Sequence, residues 1–405
     1  MPSSFKLGEG EVVNNTLDLT RLPKEVLLIL EILKEKDKRQ KVKYLNSLSK
    51  EVDWQQFLEY AVHHRVYPML YRQLKQIQET LSVPTFVIQS LEELYKANTF
   101  EMLKLSAEMN EIGKLFADQG INTLFLKGPV LAHALFGDIS YRTSKDLDVL
   151  IPIDKLDKAE IILKDLGYQK EIREHIFNEW KWKYNDISFY HYEKQTQVEL
   201  HYRLNNWPEI VPSFNELWSR RRISTLTQNP CYFLGEEDLF YYLVSHGAKH
   251  GWSRLRWLMD IQQFMKLPMD WQILYQLFKK YKNIHLGGQT LILVSQLNEL
   301  NITEEMKPLL TKRSRKIANS ALFFIERMEI LHDTSLPKDS VKYFRKYYSS
   351  IKPISQRILI NLGKLHPSTD DVQTLPLPTI FYFLYFPLRP ILWLLRKYKR
   401  SYRVN

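Results

Sequence analysis

The sequence predicts an α+β protein, a small mixed β-sheet core flanked by N-terminal and C-terminal helical regions. Two observations carry this. Apolar residues recur with helical spacing before about residue 118 and after about residue 235. Between them the period changes to short apolar runs that end in Gly or Pro, the pattern of buried strands. With 405 residues, 44% apolar and 25% charged, the chain can bury the cores of two or three domains.

Residues 1–20 are polar and read as a flexible N-terminus, followed by a helical region over 21–118. There LPKEVLLILEILKEK sets Val26, Leu27, Ile29, Leu30 and Leu33 on one stripe. WQQFLEYAVHHRVYPMLYRQL repeats the pattern, with Pro68 expected to end or kink its helix. A long amphipathic run then closes on Gly120, a suitable C-terminal cap.

The α/β core is assigned to 119–234. INTLFLKG is a strand, PVLAHALFG a short helix opened by proline, and DLDVLIP a second strand stopped by Pro152. DKLDKAEIILKDLG is a helix with Asp154 as its expected N-cap and Gly167 as its stop. DISFYHYEKQTQVELHYRL reads as two strands joined at a polar turn, Glu193–Gln197. A helical C-terminal region covers 235–370, and an apolar-basic segment covers 371–405.

A single cysteine, Cys231, excludes an intramolecular disulfide and a cysteine-based zinc site. The N-terminus lacks the apolar core of a signal peptide, so a cytoplasmic location is expected. The net charge of +11 owes much to Arg396, Lys397, Lys399, Arg400 and Arg403 at the end of the chain. No clustered Lys/Arg module of the nucleic-acid-binding kind stands out, and nucleic acid is not the expected partner.

The chemistry concentrates in LFLKGPVLAHALFGDISYRTSKDLDVLIP, residues 124–152. Strand alternation points Asp146 and Asp148 to one face and Leu147 and Val149 to the other. Two neighbouring carboxylates opening an apolar run need a cation, and hard oxygen donors suit Mg²⁺ or Mn²⁺. The Lys127–Gly128 turn before a helix can offer backbone N–H groups to phosphate, and Lys127 adds charge at the same edge. Downstream, VELHYRL puts Glu199 and His201 on one strand face, making Glu199 the third metal carboxylate. Three carboxylates, metal ions and a phosphate-binding turn are what in-line attack at phosphorus requires.

The order LKG, then Tyr-Arg, Asp-x-Asp with an apolar run, and Glu-Leu-His resembles a poorly characterised bacterial nucleotidyltransferase family of the DNA polymerase beta-like superfamily. Gly128, Asp146, Asp148 and Glu199 fill the glycine-turn and three-carboxylate positions of that pattern. YAVHHRVYPMLYRQL and HGAKHGWSRLRWLMDI are similar to the family's flanking helices, so the resemblance spans roughly 50–265. Two departures stand out: the turn reads Lys-Gly-Pro where the superfamily commonly has Gly-Ser, and eighteen positions separate Gly128 from Asp146. The resemblance implies a nucleotidyltransferase core with Mg²⁺ or Mn²⁺ as cofactor and a nucleoside triphosphate or nucleotide-sugar as donor. It also implies a peptide, glycan or small-molecule acceptor.

Around that core, Arg142 is read as a phosphate clamp or as an ion-pair partner that shapes its loop. His246 and His250 share a helix face; with Lys249 they are expected to meet the donor's phosphates or base, or else to pack on the sheet. Asp260 is expected to orient a basic side chain. His201 is a general base, a support for Glu199, or a core histidine. Nucleotidyl transfer is the leading expectation, with glycosyl transfer and a non-catalytic nucleotide-binding scaffold as alternatives. The uncharged stretch Leu375–Leu388, Trp393 and the basic tail suggest peripheral membrane contact, or a docked C-terminal helix.

Overall fold

The helical spacing of the first third becomes a set of helices in the computed structural model, which describes residues 17–34, 45–77, 81–172, 177, 183–329 and 336–402. Most of the expected flexible N-terminus and Arg403 of the basic tail lie outside the described residues. Helix α1 is Lys24–Leu33, α2 is Trp54–His63, α3 is Tyr67–Ile77 and α4 is Thr85–Asp118. Val26, Ile29, Leu30 and Leu33 of α1 are buried, with Leu28 and Ile32 beside them. Asp53 starts α2 by accepting the Gln55 and Gln56 backbone N–H groups at 2.8 and 3.2 Å.

The chain breaks between α2 and α3 before Pro68, not at it. Val66 N–H returns to Ala61 O, and Arg65 adopts a left-handed φ of 55°. Pro68 then sits in the first turn of α3, where a missing N–H costs nothing. The break is what turns Arg65 away from the helix.

The central region forms one seven-stranded mixed sheet. Its strands are β1 Leu124–Phe125, β2 Asp146–Leu150, β3 Gln169–Lys170, β4 Asp186–His191, β5 Thr196–His201, β6 Arg222–Ser224 and β7 Cys231–Phe233. The order is β3-β4-β5-β2-β1-β7-β6, with β2/β5 and β1/β7 parallel and the other pairs antiparallel. Strands β3, β6 and β7 are two or three residues long, too short for an alternation to show in the sequence. Leu147, Val149, Phe189, Val198 and Leu200 are fully buried. Between β1 and β2, α5 spans Pro129–Phe136; after β2, α6 spans Leu156–Asp165. Asp154 lies in a short 3-10 turn, Ile153–Lys155, ahead of α6 and does not cap it.

After β7, Gly235 leads into α7, Glu236–Lys249, and a sharp turn separates it from α8, Leu255–Phe264. That turn carries Gly251 at φ 64° and Trp252 at φ 56°, with Trp252 fully buried. A Cβ on Gly247 would stand 2.5 Å from the Trp252 ring, so only glycine lets the indole fold back under α7. Apolar side chains from Leu17 to Ile351 join one core, with the sheet covered by helices from both ends of the chain.

Candidate active site

Parallel pairing of β2 with β5 assembles the site. Asp148 lies directly across from Glu199 in register, and Leu150 across from His201. Because residues opposite one another share a face, the Asp-x-Asp of β2 and the Glu-x-His of β5 point into the same cleft. One donor atom from each of Asp148, Glu199 and His201 lies within 4.8 Å of the others. Asp146 opens β2 on the same face and lines the same cleft, outside this group of three. The cleft encloses about 530 Å³.

Asp148 is 1% exposed, and its Oδ1 receives the Lys127 ammonium at 2.9 Å and His201 Nε2 at 3.2 Å. Its Oδ2 is buried with no hydrogen-bond partner among the described residues. Burial would push this carboxyl up, but Lys127 and His201 outweigh it and hold it well below the usual carboxylate range. Burial also disfavours the Lys127 charge, yet Asp148, Tyr242 and Asp146 raise its ammonium above its ordinary value. Asp146 is pushed up, by burial first and then by its neighbour Asp148.

Burial works against a charged His201, but hydrogen bonds to Asp148 and Glu199 raise the imidazole to about 9. Nε2 therefore carries a proton shared toward Asp148 and, at 3.5 Å, Glu199 Oε2, while Nδ1 meets the Asn185 amide at 3.0 Å. A buried carboxylate oxygen without a partner, beside the carboxylates of Glu199 and Asp146 in one cleft, is a hard oxygen donor set that fits a divalent cation.

The Lys127–Gly128 turn aims one side chain. Leu126 N–H bonds Asp148 O at 2.9 Å, locking the end of β1 to β2, and Gly128 takes φ 78°, which a side chain would strain. Lys127 thereby reaches Asp148, whereas Gly128 itself does not line the cleft. Arg142 does not line it either. Its guanidinium makes a two-pronged pair with Asp260, 2.9 and 3.1 Å, and the two residues are 1% and 0% exposed. The loop-shaping reading of Arg142 matches this geometry; a phosphate in the cleft does not reach a side chain so placed.

His246, Lys249 and His250 do line the cleft. The two imidazoles stand 4.5 Å apart between ring centroids, and each lies 5.4 Å from the Trp257 ring. Burial first, then the nearby Lys127 and His250, hold His246 well below its usual value, so it is a neutral aromatic surface at pH 7. Burial likewise lowers Lys249.

Sequence reasoning missed Arg65, Arg254, Arg256 and Asp186, all on the cleft wall. HHRVYP and GWSRLRWL were visible as segments, but each arginine faces the cleft only because of a helix break with left-handed residues. No periodicity announces such a break. Its one local signal is Gly251.

A family model described as an uncharacterised nucleotidyltransferase matches residues 50–298, a span that holds every cleft residue named above. No curated protein and no solved structure matches the chain.

Proposed function

Because the chain belongs to this uncharacterised nucleotidyltransferase family, a family of transferases, we propose that it moves a nucleotidyl group from a nucleoside triphosphate to a hydroxyl or phosphate acceptor. The acceptor class we propose is a peptide, glycan or small molecule. The observation that carries this reading is the opposition of Asp148 and Glu199, with Asp148 Oδ2 buried and unpartnered while its Oδ1 takes Lys127 and His201. Asp148, Glu199 and Asp146 are the residues that would hold Mg²⁺ or Mn²⁺. Such a cation supplies charge neutralisation and orientation of the phosphates.

The chain's own groups do the rest. Lys127 neutralises charge that develops on phosphoryl oxygens beside Asp148. Asp146, raised by burial and by Asp148, is suited to take the proton of the attacking hydroxyl at its carboxylate. The acceptor oxygen then bonds to the α-phosphorus, the bond to the β-phosphate oxygen breaks, and pyrophosphate leaves. The aromatic surface of His246, His250 and Trp257 offers a face on which a base can stack. Metal-dependent pyrophosphate release from one nucleoside triphosphate tests this; hexose transfer from a nucleotide-sugar would favour the glycosyl alternative.

We propose in addition that the C-terminal segment rests on an anionic membrane surface at the cytoplasmic side. Phe381, Phe383, Trp393 and Leu394 are 45%, 59%, 52% and 57% exposed there. The Lys397 ammonium stands 5.3 Å above the Trp393 ring, a pairing of aromatic and cation suited to headgroups. Arg389 and Arg396 both bind the buried Asp371, which anchors the final helix, Tyr385–Tyr402, so that its apolar side faces outward. Lys397, Lys399, Arg400 and Arg403 supply charge complementary to acidic lipids. Among the described residues, no helix is long and apolar enough to cross a membrane.

A further inference from the structure

The cleft has a second charged end. Arg65, Arg254 and Arg256 line it beside Asp146, and among the described residues none of the three makes an ion pair. Arginine is among the residues least often buried without a partner. Here Arg256 is 6% exposed, and its Nε is buried with nothing to donate to. The remaining contacts are to neutral oxygens. Arg256 reaches Thr143 O, and Thr143 Oγ1 at 2.8 Å, while Arg254 reaches His63 O.

The Arg254 and Arg256 side chains are held by hydrogen bonds, and the backbone that carries Arg65 is fixed beside them. The break that carries Arg65 is stitched to the turn that carries Arg254 and Arg256 by three hydrogen bonds. The Arg254 guanidinium donates to His63 O, Leu255 N–H to His64 Nδ1 at 3.4 Å, and Arg256 N–H to His64 O at 3.2 Å. Arg65 itself sits at φ 55°, a conformation that costs free energy in a non-glycine residue. The nearby Asp260 carboxylate is taken by the Arg142 guanidinium and, among the described residues, makes no ion pair with any of the three. Burial, with Arg65 beside it, lowers Arg254 to about 10, and burial, Arg142 and Arg65 lower Arg256 well below its ordinary value. Three guanidiniums that repel one another in a concave wall are stabilised by a multivalent anion.

The geometry points to Arg65, Arg254 and Arg256 as the subsite that holds the polyphosphate of the donor, at the Asp146 end of the cleft. This rests on the transferase reading above and adds to it. It sets the donor's direction: phosphates toward the arginines, base toward the aromatic surface of His246, His250 and Trp257.

The test is calorimetric titration of the full chain with inorganic tripolyphosphate in the presence of a chelator. The variants are Arg65→Asn, which tolerates the left-handed turn, and Arg254→Met. The wild type is expected to bind, more weakly as salt rises, and each variant to bind at least about tenfold more weakly, the scale of one charge-assisted pair. Arg254→Lys should fall between. A wild type that does not bind, or two folded variants that bind like wild type, would overturn the subsite. A nucleoside triphosphate that competes with tripolyphosphate supports donor binding; simultaneous binding of both would overturn the donor assignment and leave an acceptor phosphate. If the arginine variants bind normally while Asp148→Asn abolishes transfer, only this inference fails. If they lose tripolyphosphate but no nucleotide is ever consumed, the subsite stands and the transferase reading falls.

Discussion

The ammonium of Lys127 and the carboxylate of Asp148 form a buried ion pair of 2.9 Å across the ends of β1 and β2. Lys127 is the last residue before the Gly128 turn, so the pair links the turn to the acidic strand. Removing one member of a buried pair strands the other charge. Lys127→Met should therefore destabilise the metal-free protein by about 3–5 kcal/mol in chemical denaturation. A change below ~1 kcal/mol would mean that the pair is solvated and weak.

His201 ties stability to pH. Its folded value, about 9, lies above its unfolded value of 6.5. The stabilisation is therefore fully present below about pH 6.5 and is lost as pH rises toward 9, a loss on the order of 3 kcal/mol. Melting temperature in chelator should fall across that window for wild type and fall less for His201→Gln. Parallel curves for the two proteins would contradict the pairing of His201 with Asp148 and Glu199.

Arg142 and Asp260 join the loop before β2 to α8 with no exposure to solvent. Asp260→Asn should cost about 3–5 kcal/mol, because a buried guanidinium is left uncompensated. The double replacement Arg142→Met with Asp260→Leu should recover much of that loss. Equal destabilisation by the single and double variants, read from denaturant midpoints, would show that the pair does not act as a unit.

Much of this was readable beforehand, and the remainder was hidden for physical reasons. Strand alternation alone placed Asp146 and Asp148 on one face, and Glu199 with His201 on another strand. That β5 lies parallel beside β2 in the register Asp148 opposite Glu199 is a long-range fact that no local pattern encodes. Arg142 shows the limit differently: spacing does not reveal its ion-pair partner, and tertiary packing supplies Asp260, 118 residues away. Arg65 and Arg254 were invisible because side-chain direction at a helix break depends on left-handed residues, not on spacing.

The apolar C-terminal helix makes a separate prediction. The full chain should float with vesicles that contain about one third anionic lipid and should stay behind with neutral vesicles. Trp393→Ser together with Leu394→Ser should abolish flotation without changing the melting temperature. Flotation that survives this change would sink the assignment of that face to a membrane.

Asp148 is the centre of the proposed metal-dependent nucleotidyl transfer site. Purified protein with Mg²⁺ is incubated with each nucleoside triphosphate, several nucleotide-sugars and a pool of peptide and glycan acceptors, and the products are followed by mass. One triphosphate is expected to give pyrophosphate and an acceptor heavier by the nucleotidyl group, with Asp146→Ala and Asp148→Ala both inactive though folded. Transfer that persists in Asp148→Ala, or a hexose mass gain with release of nucleoside diphosphate, would contradict it.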